Sequence, residues 1–356
     1  MPFLPFRKDE QIMFVLLSYF YQELFMPSSD SSPRPQQAAK GTLTSSISKD
    51  AWIGIALAAS GSFFFSTKAI FAKLAYAAGD LPVETLLALR MSLALPFFLI
   101  TGLRLLYKEP SRRLLLTPAI MLKTALVGIC GYYVASFLDF SGLVYLTAQM
   151  ERLILFTYPL FVVIFGALFF GQPLSRWSLI AFPISYCGLA ILFSSAANHG
   201  NPNIEVGALF VLGSAITFAL YQLMAKSIIT AMGSRLFTSF AMSAAAIATL
   251  VHFSINHSIS DLWVNNEIGV YVALIAIFST VIPAYMLNEA LNKIGPQMVG
   301  MLGNLSPLFT TLMAVIILAE PFGIYEALGT FIVLAGVLLF SHMDHKAKKK
   351  RADKLA

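Results

Sequence analysis

PLFVVIFGALFFGQP at residues 159–173 returns 148 positions later as PLFTTLMAVIILAEP at residues 307–321. Each copy opens on a proline, runs apolar, and closes on Gln172-Pro173 or Glu320-Pro321. The glycines Gly188 and Gly336 keep the same offset. Upstream, Ile70-Phe71-Ala72-Lys73 matches Leu223-Met224-Ala225-Lys226, Leu138-Asp139 matches Leu287-Asn288, and Gln149 matches Gln297. One unit has therefore been copied.

The solvent for that unit is lipid. The chain has 356 residues, of which 58% are hydrophobic and 12% charged, and its mean hydropathy is +0.76. A soluble domain carries roughly 25% charged residues, and no soluble fold of this length hides so much apolar surface. Soluble enzymes, nucleic-acid readers and disulfide scaffolds are excluded. A span takes about 20 residues, and Pro and Gly punctuate the runs. Ten spans result, near 51–76, 82–106, 117–139, 143–171, 176–196, 204–229, 235–256, 268–291, 295–319 and 322–342. Residues 51–200 form the first five-helix repeat and 201–342 the second. Residues 1–50 read as a flexible or interfacial extension, and 343–356 as a basic cytoplasmic tail. Five is odd, so the second copy enters the membrane inverted. That is the architecture of secondary transporters.

The basic residues orient the bundle. With the N-terminus inside, every Lys and Arg between spans faces the cytoplasm. The outer loops 77–81, 140–142, 197–203, 257–267 and 320–321 carry none. The net charge of +6 thus reads as an N-in, C-in, multi-pass protein of the bacterial plasma membrane, with no nucleic-acid partner.

Trp52 to Arg90, Gly131 to Gly171 and Ala208 to Phe340 resemble the drug/metabolite transporter superfamily, in particular its EamA-type permeases. The features that carry this are Lys73 late in the first helix, LALR at Leu87 to Arg90, and the two proline-led runs. The resemblance implies a ten-helix fold and transport, often export, of small metabolites. Gln172 departs from the Glu usual at that position.

Ionisable groups inside spans cost about 2.5–3.5 kcal/mol each on insertion scales, so they persist where they pair, meet water or work. Arg90, Glu151 and Arg152 lie deep in the first repeat, and Arg90 with Glu151 is a candidate pair. Lys68 or Arg152 is a spare cation for a substrate carboxylate, and Glu151 or Asp139 a proton carrier. Lys73 with Asp139 outside, and Lys226 with Asn288 and Glu289 inside, form candidate gates. Tyr132, Tyr133, Tyr158, Tyr221, Gln222, Tyr285 and Asn304 supply polar atoms to a cavity near the midplane, where Tyr suits amphipathic cargo. Gly54, Gly61, Gly166, Gly188, Gly213 and Gly336 read as helix-contact positions.

No cofactor, metal or catalytic residue is expected. His252 and His257 are five apart, a poor spacing for one helix face, and no enzyme motif occurs. The expectation is a secondary transporter that exports small metabolites such as amino acids or their relatives by alternating access. Its partners are the solute, the bilayer, and a proton or counter-solute. The competing readings are another cargo (a nucleotide sugar, purine or drug) and a membrane protein that transports nothing.

Overall fold

The structure, a computed structural model, describes residues 49–170, 183–192, 203–303 and 305–336, with Ile180 and Leu339 beside them. The sequence readings on residues 1–48, on Asn304 and on the basic tail lie outside the described residues. Among those described, every regular element is a helix. They are α1 (Lys49–Ala77), α2 (Val83–Lys108), α3 (Pro118–Tyr145), α4 (Ala148–Leu155), α5 (Tyr158–Phe170), α6 (Pro183–Leu192), α7 (Ile204–Met232), α8 (Ser234–Asn256), α9 (Asn266–Ala276), α10 (Ile282–Gly303), α11 (Ser306–Ile317) and α12 (Ile324–Gly336). Seven stretches are long and apolar enough to cross a membrane, with α4 and α5 counted as one and α9 running into α10; α6, α11 and α12 are shorter apolar helices.

The ends follow local chemistry. Thr117, Thr147 and Asn265 precede their helices, and each side-chain oxygen accepts a hydrogen bond from the amide three residues on, at 3.3, 3.2 and 2.8 Å. These caps satisfy donors that a helix start leaves open. Gly233 breaks α7 from α8 at φ +83°, a left-handed backbone that favours glycine.

Two predicted boundaries move. The loop expected at 140–142 is helical, and α3 runs to Tyr145. Gly142 is not a break but a contact, since a Cβ there would strike Val211 and the Gly207 carbonyl of α7. The break expected after residue 291 is also helical, and α10 runs through Pro296 to Gly303. A proline in a membrane helix forfeits one ladder bond and is tolerated there.

The repeat is visible in the backbone. α5 and α11 each restart one residue before the matched proline, at Tyr158 and Ser306. Wide π turns interrupt α3 at Ile129–Val134 and join α9 to α10 at Ile277–Val281, again 148 positions apart. The halves interlock: α1 lies along α10, α3 along α7, and α2 along α8. Gly54 and Gly61 meet α10 and Gly213 meets Leu138 of α3, as the helix-contact reading expects. Exposed apolar side chains line the outside of single helices, for example Ile247, Val251 and Ile255 on α8, spaced four apart on one face.

Candidate functional site

Four helices of the first half bring five charges together. Lys68 stands on α1, Arg90 on α2, Asp139 on α3, and Glu151 and Arg152 on α4; none is more than 6% exposed. The Lys68 ammonium contacts the Asp139 carboxylate directly and reaches Glu151 Oε1 at 3.4 Å. Arg152 Nε lies 3.8 Å from Glu151 Oε2 and donates from Nη2 to the Phe65 carbonyl at 3.4 Å. Arg90 Nη2 donates to Ser136 Oγ at 3.3 Å.

Two phenyl rings separate the three cations. The Arg152 guanidinium sits 5.1 Å from the Phe65 ring centre, with Lys68 at 5.4 Å. Lys68 also lies 5.5 Å from the Phe140 ring, and Arg90 5.1 Å from it. The order is Arg152, Phe65, Lys68, Phe140, Arg90. Each ring attracts cations to its face. Both rings were missed from sequence, although Phe65 is one helical turn before Lys68 and Phe140 follows Asp139.

The predicted pairings are rearranged. Arg90 does not pair with Glu151; Lys68 does. Lys68 is accordingly no spare cation, because it serves both carboxylates. Lys73 does not pair with Asp139, because its ammonium donates to the Leu143 and Leu146 carbonyls at 3.3 and 3.0 Å. The open end of α3 offers those carbonyls. Glu289 takes Arg235, at 3.2 Å from Nε and 2.8 Å from Nη2, rather than Lys226, which is exposed. The side chain of Asn288 lies outside the described residues.

The turn of α1 that carries Lys68 also holds the second half. Ser66 Oγ lies 2.8 Å from Ser306 Oγ, and Thr310 Oγ1 donates to the Ser66 carbonyl at 3.3 Å. Thr67 Oγ1 meets Ser279 Oγ, in the second π turn, at 2.7 Å. In the first π turn, Tyr132 reaches Tyr221 of α7 with 2.6 Å between hydroxyls. Tyr158 packs edge-on against Phe218 and meets the Gln222 side chain. Tyr133 instead faces His252, and Tyr285 packs on Phe98 beside Ser239. The predicted tyrosines thus fall into two groups, around α7 and around α8, and not into one ring.

One end of the bundle is tied. Glu320, beyond α11, accepts from the Ala148 and Gln149 amides at 2.6 and 3.3 Å and so caps α4. Asn265 Nδ2 donates to the Ala78 carbonyl at 3.2 Å. Burial raises the Glu320 carboxyl above the usual carboxylate range, against the two amides and Lys73, which pull it down. At the other end a cleft of about 360 Å³ opens between Leu57, Thr101, Arg235, Tyr285, Met286 and Glu289. Among the described residues no group of His, Cys, Asp and Glu is arranged to hold a metal.

This arrangement has relatives. A protein of Bacillus subtilis (strain 168), named uncharacterized transporter YcbK, is 28% identical over 298 residues, covering 78% of this chain and 90% of its own length. A second from the same organism, uncharacterized transporter YetK, is 24% identical over 258 residues, 69% of this chain and 78% of that one. One crystal structure of a protein superposes with a TM-score of 0.59 at 18% identity, over 85% of this chain and 99% of the other; it shares the fold. The signature of the EamA-like transporter family matches residues 52–194 and again 205–342. The chain is a multi-pass membrane protein of all-helical fold and belongs to the EamA-like transporter family.

Proposed function

We propose that this chain is a secondary transporter that exports small metabolites such as amino acids or their relatives by alternating access. Ten spans, N-in and C-in, form two inverted five-helix repeats in the bacterial plasma membrane. The observation that carries the reading is the five-charge cluster, which is costly to hold in lipid. The family and the relatives' names support transport.

In that topology the end tied by Glu320 and Asn265 faces outward and the cleft faces the cytoplasm. The form described is then closed at its outer end, with a shallow cleft on its inner face. The outer closure consists of Glu320 on α4, Asn265 on Ala78 and Lys73 on the end of α3. The Arg235–Glu289 pair borders the inner mouth. The cluster sits beneath the outer closure, and its α1 turn is bonded to α10's π turn and to α11. A change of charge at Lys68 is thereby felt by the second half. Coupling runs through Glu151, which shares Lys68 with Asp139 and whose Oε2 accepts no hydrogen bond, with Arg152 Nε 3.8 Å away.

Counterflow by purified protein in liposomes tests the reading. The expected result is exchange of at least one amino acid. Glu151→Gln should retain exchange but lose its response to an imposed pH gradient. No exchange across amino acids, purines and nucleotide sugars overturns the transporter reading. An unaltered gradient response in the variant overturns the role of Glu151.

A further inference from the structure

The buried cluster holds three cations and two carboxylates, so one positive charge lacks a counter-ion among the described residues. Lys68 has two anionic partners. Arg152 has Glu151 at 3.8 Å. Arg90 has no anion within 4 Å: its direct partners are the Ser136 hydroxyl and the face of Phe140, and the carboxylate whose field it feels, that of Asp139, already pairs with Lys68. Arg90 is 4% exposed, and its Nε, fully buried, donates to nothing in the protein.

A cation so placed is destabilising. A buried charge without a partner costs several kcal/mol, and a ring face returns about 2 kcal/mol at most when desolvated. A protein that needed only packing on α2 would hold an apolar side chain there. The second half does without such a charge. Tyr221 stands where the repeat register places Lys68, and Asn288 where it places Asp139. The charged set is a specialisation of one half.

We propose that Arg90 is the docking point for a carboxylate on the transported solute, and that this solute carries one negative group and no second. This rests on the transport reading and narrows its cargo. A planar guanidinium fork with a free N–H matches a carboxylate. One carboxylate supplies the anion that Arg90 lacks at contact distance, whether or not the solute also bears an ammonium. A phosphate monoester carries about −1.5 to −2, and a nucleotide sugar bears two phosphates, so either overshoots. A neutral purine or a cationic drug leaves Arg90 uncompensated. Asp139 Oδ1 and Glu151 Oε2 accept no hydrogen bond from a described donor, though Arg152 Nε stands 3.8 Å from the latter; they are the acceptors the cluster offers to the ammonium of an amino acid. Alternating access brings Arg90 into contact with the solute as the outer closure opens.

The test uses the full chain in lipid nanodiscs and reads the melting temperature. The probes are L-leucine, L-phenylalanine, L-threonine and L-alanine, each beside its carboxamide, with phenyl phosphate as a dianion. At least one amino acid should raise the melting temperature and its carboxamide should not. Arg90→Lys, which keeps the charge but not the fork, should weaken that amino acid by about tenfold or more, the order of one charge-assisted bond. Arg90→Met should abolish the effect, yet melt higher than the wild type without ligand because the unpaired charge is gone. A purely structural arginine predicts a lower melting temperature for Arg90→Met. The proposal is overturned by that lower value, by carboxamides acting as well as acids, by phenyl phosphate acting more strongly than any amino acid, or by no amino acid acting. Counterflow on the same preparation separates the two readings. Exchange of a solute lacking a carboxylate sinks the Arg90 assignment and leaves transport standing, whereas no exchange at all sinks transport itself.

Discussion

Lys68 is the residue on which the buried charges turn, because it alone touches both carboxylates. Lys68→Met removes their shared cation and leaves two buried anions with Arg152 3.8 Å from one of them. Loss of one partner of a buried pair costs about 3–5 kcal/mol, so a sharply lower melting temperature is expected. Lys68→Met with Asp139→Asn should recover part of it, which a thermal melt of the double variant checks. Glu320 makes a separate prediction. Its carboxyl sits above the usual range in the folded protein, mainly through burial. The folded state therefore holds that proton to higher pH than the unfolded chain does. Stability contributed by this group is present at low pH and lost as pH rises through the window between the two values. Melting temperatures from about pH 4 to 7, wild type minus Glu320→Gln, should decline with rising pH; a flat or rising difference contradicts the assignment.

At the scale of the helix, small residues set the spacing between halves. A Cβ on Gly131 would overlap the Tyr221 ring, within the contact that joins α3 to α7. Gly131→Ala should cost about 1–3 kcal/mol by overpacking and displace the Tyr132–Tyr221 hydroxyl bond. A thermal melt gives the first, and Tyr132→Phe in the same background checks the second by having little added effect. Element identity was legible because apolar length, caps and prolines are local signals. The ends of α3 and α10 were not. Gly142 and Gly295-Pro296 carry turn chemistry, and only the neighbouring helix tells a contact glycine from a break. Likewise Asp139, Glu151 and Arg152 were legible as costly charges. Which of them Lys68 reaches depends on how four helices rotate about their axes, which periodicity in lipid-facing apolar sequence hardly records.

Across the whole molecule, opposite ends differ. One is stitched by Glu320 and Asn265, and the other opens on the Arg235–Glu289 cleft. If the first faces outward, a cysteine introduced at Ser260 should react with an impermeant maleimide added to whole cells. One at Ala352 should react only after lysis. The background must lack Cys130 and the exposed Cys187. Labelling of both positions in whole cells would put them on one side and overturn the span count, whereas labelling at Ala352 alone would reverse the orientation argued from the basic residues. The repeat was plain in sequence because prolines and glycines survive at fixed offsets. The lopsided distribution of charge was visible too, since the register sets the neutral Asn288 opposite Asp139.

The wide turns at Ile129–Val134 and Ile277–Val281 bear on history. A π turn accommodates one more residue than the ladder around it, and it is rare. Two separate insertions landing at the same register of two copies would be a coincidence. One insertion in a single ancestral repeat, duplicated with it, needs none. The widening is then older than the doubling.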